Sequence, residues 1–370
     1  MTSSPEAKRL VATVAAWRTA TTLQPPTEAL DEPTWGRLFS DVTVERLGGL
    51  LAWAIAADEW PATDDQRQQA YESHRSWMAS ALRLETELLE VADLLDQVDA
   101  PFQVLKGTAV AHLDYPDPSL RCFGDVDLLV PGTAIERARD ALLARGGTRA
   151  YNEPRPGFDR RFTKGLAITT PHGVEIDVHR TLSAGPFGLA LDLDGLHAHP
   201  DHFTVGGRRL AALGRPQRFL HACFHAVLGS AEPRLVPLRD LVQTAPATAV
   251  EVEAVRHLAE RSRATAVVAR AVHATQAKLG WQPPLVLRAW TDAYRETTRD
   301  RRWLAGYVGE QRAYATQAVT AVEAVPGGPA TKAAYLWAVA FPVDASRGDA
   351  RRARWQRGAR ALRARLATQR

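Results

Sequence analysis

With 370 residues, 45% of them hydrophobic, the chain can bury a large core, which excludes a disordered tail or a small disulfide-stapled scaffold. Lys and Arg number 46 against 42 Asp and Glu, so the net charge is only +4; this permits an anionic ligand without favouring nucleic acid. Two distant cysteines, Cys122 and Cys223, an opening stretch without the apolar core of a secretory signal, and no bilayer-length apolar run lead us to expect a cytoplasmic protein without membrane contact.

Residues 5 to 97 read as helices. "SPEAKRLVATVAAW" opens with Ser, Pro and Glu in helix-start order and then repeats apolar residues at helical spacing. After the proline-rich "TLQPPTEALDEPTW", the stretch "DDQRQQAYESHRSWMASALRLETELLEVADLLDQV" is a long helix. The texture changes at Asp99. "PFQVLKG" is a short strand stopping at Gly107, a helix follows through "TAVAHL", and "DYPDPS" is a loop because Pro116 and Pro118 forbid regular pairing. "FGDVDLLVP" is a strand between Gly124 and Pro131, and "GTAIERARDALLARGG" an amphipathic helix. "GLAITTPHGVEIDVHRTL" predicts two strands joined as a hairpin at Pro171-His172-Gly173. From Arg215 the pattern is helical again, ending in an Arg-rich stretch from Arg347 to Arg370 that reads as a solvated basic helix. The expected class is α+β: a small mixed-sheet core over 99–212, flanked by helical lobes over 1–98 and 213–370.

Two acids interrupt the most apolar strand. Side chains alternate along a strand, so Asp125 and Asp127 share a face, about 6–7 Å apart at their Cα atoms. Such a pair repels itself, and a divalent cation removes the repulsion. In "VEIDVH", Glu175, Asp177 and His179 share a face in the same way. If the two strands are neighbours, Asp177 approaches the first pair, and three carboxylates on one face suit a two-metal site for phosphoryl or nucleotidyl transfer. "LKGT" complements them. Gly107 lets backbone N–H groups approach a phosphate, the following helix start favours an anion, and Lys106, Thr108 and Arg121 are further candidate phosphate donors.

"LKGTAV", "YPDPSLRCFGDVDLLVP" and "VEIDVH" together resemble the polymerase-β-type nucleotidyltransferase superfamily, and within it the bacterial group of uncharacterised nucleotidyltransferase family proteins. The resemblance spans roughly residues 80 to 245. It implies an enzyme that takes an NTP and two Mg²⁺ ions and moves an NMP group to the hydroxyl of an unidentified small molecule, peptide or protein. It further implies that Asp125, Asp127 and Asp177 bind the metals and that Gly107 and Thr108 form the phosphate turn. The spacing from Thr108 to Asp125 is longer than in the wider superfamily, and Thr stands where Ser is usual. Kinase-like transfer through the same site, or a non-catalytic, antitoxin-like nucleotide-binding protein, are the alternatives.

His179, on the face of Asp177, is a candidate substrate contact. Arg239 and Asp240 in "PLRDL" either form an ion pair or shape the acceptor pocket. His221 and His225 are spaced i,i+4, but "HACFH" lacks the glutamate of a zinc-protease motif, so a core-packed pair is expected. "HAHPDHF", with His197, His199 and His202, reads as a loop.

Overall fold

A computed structural model describes residues 5–308 and 314–342 of the chain. The Arg-rich segment from Arg347 to Arg370 lies outside the described residues. The architecture is α+β, with seven strands among the described residues, all in one mixed sheet. These are β1 (Gln103–Val104), β2 (Val126–Leu129), β3 (Thr148–Arg149), β4 (Gly165–Thr169), β5 (Glu175–His179), β6 (Asp201–Val205) and β7 (Arg208–Ala212), in the order β3-β4-β5-β2-β1-β7-β6. β4 and β5 form the expected hairpin, closed where Gly173 N–H donates to the Thr170 carbonyl.

One register positions everything else. β2 and β5 run parallel, pairing Val126 with Ile176, Asp127 with Asp177, Leu128 with Val178, and Leu129 with His179. Alternation sends Val126, Leu128, Ile176 and Val178 to one face. There they are buried in a cluster with Leu88, Val91 and Leu95 of the helix Asp64–Gln97 and with Ile135 and Leu142 of the helix Ile135–Ala144. Asp127, Leu129, Asp177 and His179 take the other face. There Leu129 joins a second cluster with Phe219, Leu220 and Phe224 of the helix Arg215–Leu228.

That second cluster crosses the chain order. Leu10, Val14, Trp35 and Leu51, all before residue 99, are buried in it together with Leu238, Val267 and Trp303 from the C-terminal segment. Arg239 reinforces the join by donating to the carbonyls of Ala15 (3.0 Å) and Trp17 (2.5 Å), at the end of the helix Pro5–Ala15. The helix Asp64–Gln97 bridges both clusters. Its 34 residues reach about 50 Å, and Thr63 and Gln66 cap its start reciprocally.

Two local expectations differ. "DYPDPS" is not wholly irregular, because Asp117 caps a 3₁₀ turn over Pro118–Leu120. β6 and β7 form a hairpin where the sequence around His202 reads as loop; Gly206 and Gly207, both at positive φ, make its turn.

Arg218 stitches three elements at the edge of the core. It holds Asp114 with two bonds of 2.7 and 2.9 Å and Asp201 with a third of 2.6 Å, and Asp114 is buried. Replacing Arg218 with Met strands that carboxylate, so urea denaturation should show a loss of about 3–5 kcal/mol, part of which returns in Arg218→Met/Asp114→Asn. A loss below about 1 kcal/mol in the single variant would show that the pair is not holding these elements together.

Candidate functional site

Leu105 N–H donates to the Asp127 carbonyl at 2.8 Å, which ends the β1–β2 pairing. The chain then turns at Gly107, whose φ of 21° and ψ of −103° suit a residue without Cβ, and a helix continues to Asp114 with Thr108 buried in its first turn. This turn swings Lys106 across the face of β2. Its Nζ lies 2.8 Å from Asp127 Oδ1 and 3.8 Å from Asp125 Oδ2. His179 reaches the same Asp127 Oδ1 through Nε2 at 2.8 Å, and stands 3.7 Å from Asp177 Oδ2. Since a carboxylate only accepts, Nε2 carries the proton in that bond.

The electrostatics are closely matched. Burial works to raise the Asp127 carboxyl, but the Lys106 charge and the His179 hydrogen bond outweigh it and hold the group far below the ordinary carboxylate value. Burial likewise opposes ionisation of Asp177, yet nearby His179, with Lys164, keeps it below the usual range. Lys106 is disfavoured by burial and still raised on balance, because Asp127 and Asp125 stabilise its ammonium. Glu175, the next acid along β5, moves the other way: partial burial and repulsion from Asp177, Asp125 and Asp127 push its carboxyl up.

Asp127 Oδ2 and His179 Nδ1 are buried without a hydrogen-bond partner among the described residues. Ligand atoms of Asp127, Asp177 and His179 all lie within 4.8 Å of one another, a spacing that one metal ion can span. An oxygen-rich set with an unsatisfied carboxylate oxygen fits a divalent cation, which would satisfy Oδ2. Asp125 is not a strand residue, since β2 begins at Val126. It lines a cleft of about 210 Å³, together with Lys106, Gly107, Phe123 and Arg46.

The other candidates separate. Arg121 lines the cleft, but its guanidinium is spent on Asp240, through bonds of 2.7 and 2.8 Å, in a buried cluster to which Tyr115 adds a third bond. The pairing of Asp240 is thus with Arg121 rather than with its chain neighbour Arg239, which holds the backbone carbonyls of Ala15 and Trp17 instead. His179 is buried, with Nε2 against Asp127 Oδ1. His221 is buried and His225 half-buried, lining the cleft, on the helix that crosses this face, and His197, His199 and His202 form no metal-competent group among the described residues. Sequence reasoning overlooked Lys164, just before β4. Burial and then the Lys106 charge depress it, while Asp127, Asp177 and Asp125 act in the opposite sense. It makes no ion pair within 4 Å among the described residues, and its only signal in the sequence is its place beside a strand that borders β5.

The family model for "Uncharacterised nucleotidyltransferase" matches residues 31–280, about two thirds of the chain, and the chain belongs to that family. It is therefore a transferase of the class that moves nucleoside monophosphate groups. Among solved structures, the antibiotic-resistance factor ANT(2'')-Ia is similar at 16% identity and a TM-score of 0.35, over 51% of this chain and 97% of the other. An antigenic nucleotidyltransferase-like protein from Paracoccidioides brasiliensis is similar at 15% identity and a TM-score of 0.33, over 54% of this chain and 94% of the other. No curated protein matches the chain.

Burial, reinforced by the Lys106 charge, depresses His221 to about 3 and His225 well below its ordinary value, so both stay neutral in the folded chain. Unfolded imidazoles take up protons below about pH 6.5. The contribution of His221 to stability is therefore complete above pH 6.5 and is lost as pH falls from there towards 3, by up to about 1.4 kcal/mol per pH unit. Urea denaturation at pH 7 and 5.5 should show wild type losing more stability than His221→Gln over that interval. Parallel losses would mean that the imidazole is charged when folded.

Proposed function

We propose that the enzyme transfers an NMP group from an Mg²⁺-bound NTP to an acceptor hydroxyl. The observation that carries the reading is the in-register neighbourhood of Asp127 and Asp177 on parallel strands, with Asp125 sharing Lys106 with Asp127 and lining the adjoining cleft. In the reaction, the acceptor oxygen bonds to the α-phosphorus, the bridging bond to the β-phosphate breaks, and pyrophosphate leaves. Asp125, Asp127 and Asp177 are the groups to hold Mg²⁺. When bound, Mg²⁺ would neutralise the carboxylates, stabilise charge on the transferring phosphate and lower the pKa of the attacking hydroxyl.

The protein's own groups have distinct tasks. Asp177, partly exposed, takes the hydroxyl proton; held low in pKa, it is a weak base and depends on an acidified hydroxyl. His179 fixes the orientation of Asp127. Gly107 and Thr108 seat phosphate at the start of their helix. Lys106 balances Asp127 and Asp125 before substrate arrives, and its ammonium is close enough to the cleft to turn to a phosphate oxygen. The acceptor enters between the sheet and the helical segments.

Asp125 and Asp177 are the cleaner residues to test, because their side chains are 30% and 25% exposed whereas Asp127 is almost fully buried. Asp125→Asn and Asp177→Asn should keep wild-type thermal stability to within a few degrees and lose on the order of 10³-fold or more in turnover. With α- and γ-labelled NTP and an acceptor extract, the α-label should appear on the product. Appearance of the γ-label instead would make the enzyme a phosphotransferase, and wild-type activity in both variants would remove the metal assignment.

A further inference from the structure

The proposed reaction needs positive charge on the departing pyrophosphate, and Arg121, the sequence's candidate, is held by Asp240. Another guanidinium faces the same cleft. Arg46 lies in the link between the helices Glu32–Val44 and Gly48–Ala56, far from the acidic strands in sequence, and lines the cleft beside Lys106, Gly107 and Asp125. Its guanidinium lies flat against Gly124: a Cβ on that glycine would be 3.3 Å from Arg46 Nη2 and 3.4 Å from Cζ and Nη1. Among the described residues it makes no side-chain hydrogen bond or ion pair, although Glu45 is its neighbour.

Glu45 is already engaged, accepting from Leu235 N–H at 2.9 Å, while Arg234 donates to the Val44 carbonyl. These bonds pin the N-terminal side of the link to the start of the helix Leu235–Thr244, and Arg46, the next residue, has a left-handed φ of 57°. A left-handed backbone at a non-glycine residue persists where its surroundings enforce it. The result is a pre-positioned, unpaired fork of donors against Gly124, in the cleft that Asp125 also lines. A planar guanidinium matches phosphate oxygens two at a time.

We propose that Arg46 binds the terminal phosphates of the NTP, the part that leaves as pyrophosphate, and is thus a substrate-binding residue contributed by the N-terminal helices. This rests on the NTP reading above. Isothermal calorimetry with each of the four NTPs in turn, each with Mg²⁺, and with pyrophosphate and the matching NMP, tests it. Arg46→Gln should weaken NTP and pyrophosphate by about ten- to hundredfold and leave NMP unchanged, with Arg46→Lys between the two. Gly124→Ala provides a second probe that leaves the arginine in place: the new methyl, 3.3 Å from Nη2, forces the guanidinium off its position, and NTP affinity should fall while NMP affinity holds. If wild type binds NTP and Arg46→Gln binds it equally, or loses NMP in proportion, Arg46 is not the clamp and the NTP reading stands. If wild type binds none of the four, the NTP reading itself fails, and this inference with it.

Discussion

The structure turns on the parallel pairing that sets Asp127 directly beside Asp177. Adjacent strands are about 4.8 Å apart, so two carboxylates on the same face at the same level must repel unless something intervenes. Here Lys106 and His179 converge on one oxygen of Asp127 and leave the other, though buried, without a partner. The neighbouring residues are consistent with this balance. Gly107 bends the chain so that Lys106 can cross β2, and His221 and His225 remain neutral, so neither imidazole adds positive charge near that lysine. The core on the far face is apolar and independent of the arrangement. The far face therefore packs apolar side chains alone, while the acidic face holds the charged cluster next to the packing of Leu129.

What can be read from the sequence follows from range. Period-two alternation in "DVDLLV" and "VEIDVH" is local, and it correctly put Asp127, Asp177 and His179 on one face of their strands. The hairpin at Pro171 and Gly173 and the long helix ending at Gln97 also follow from short-range signals. The partner of Arg121 does not, since Asp240 lies 119 positions further along the chain. Nor does the burial of His179, which depends on which helix crosses the sheet. The β6–β7 hairpin was legible in principle: Gly206-Gly207 between "HFTV" and "RRLAAL" has the composition of a two-residue turn, but the histidines upstream drew the segment towards loop. Arg46 and Lys164 carry no motif. They matter only because folding brings a helix link and a strand end to the acids.

The shared core explains why such distant residues can serve one site. Segments before residue 99 and after residue 213 bury their apolar side chains together, and Arg239 ties the first helix to the helix Leu235–Thr244. The cleft opens where that joint meets the sheet, so its walls come from three regions of sequence. Substitutions in the helices can reshape the cleft wall without touching the strand register, whereas a change in the register would displace Asp177 from Asp127.

The contrast between Arg121 and Arg46 shows how charge pairing assigns roles to identical side chains. Both border the same cleft. Arg121 is nearly fully buried and meets a buried carboxylate in two-point contact, with Tyr115 completing the set. Turning it towards a phosphate would leave Asp240 charged and unpaired in the interior, a cost of several kcal/mol that one phosphate contact of about 1.5–3 kcal/mol does not offset. Arg46 has no such partner and is already partly hydrated, so contact with an anion replaces water rather than an ion pair. Proximity alone would have chosen Arg121, because it sits next to the acidic strand in sequence. The energetic comparison assigns that arginine to the scaffold and leaves the ligand to cations whose charge is not already matched.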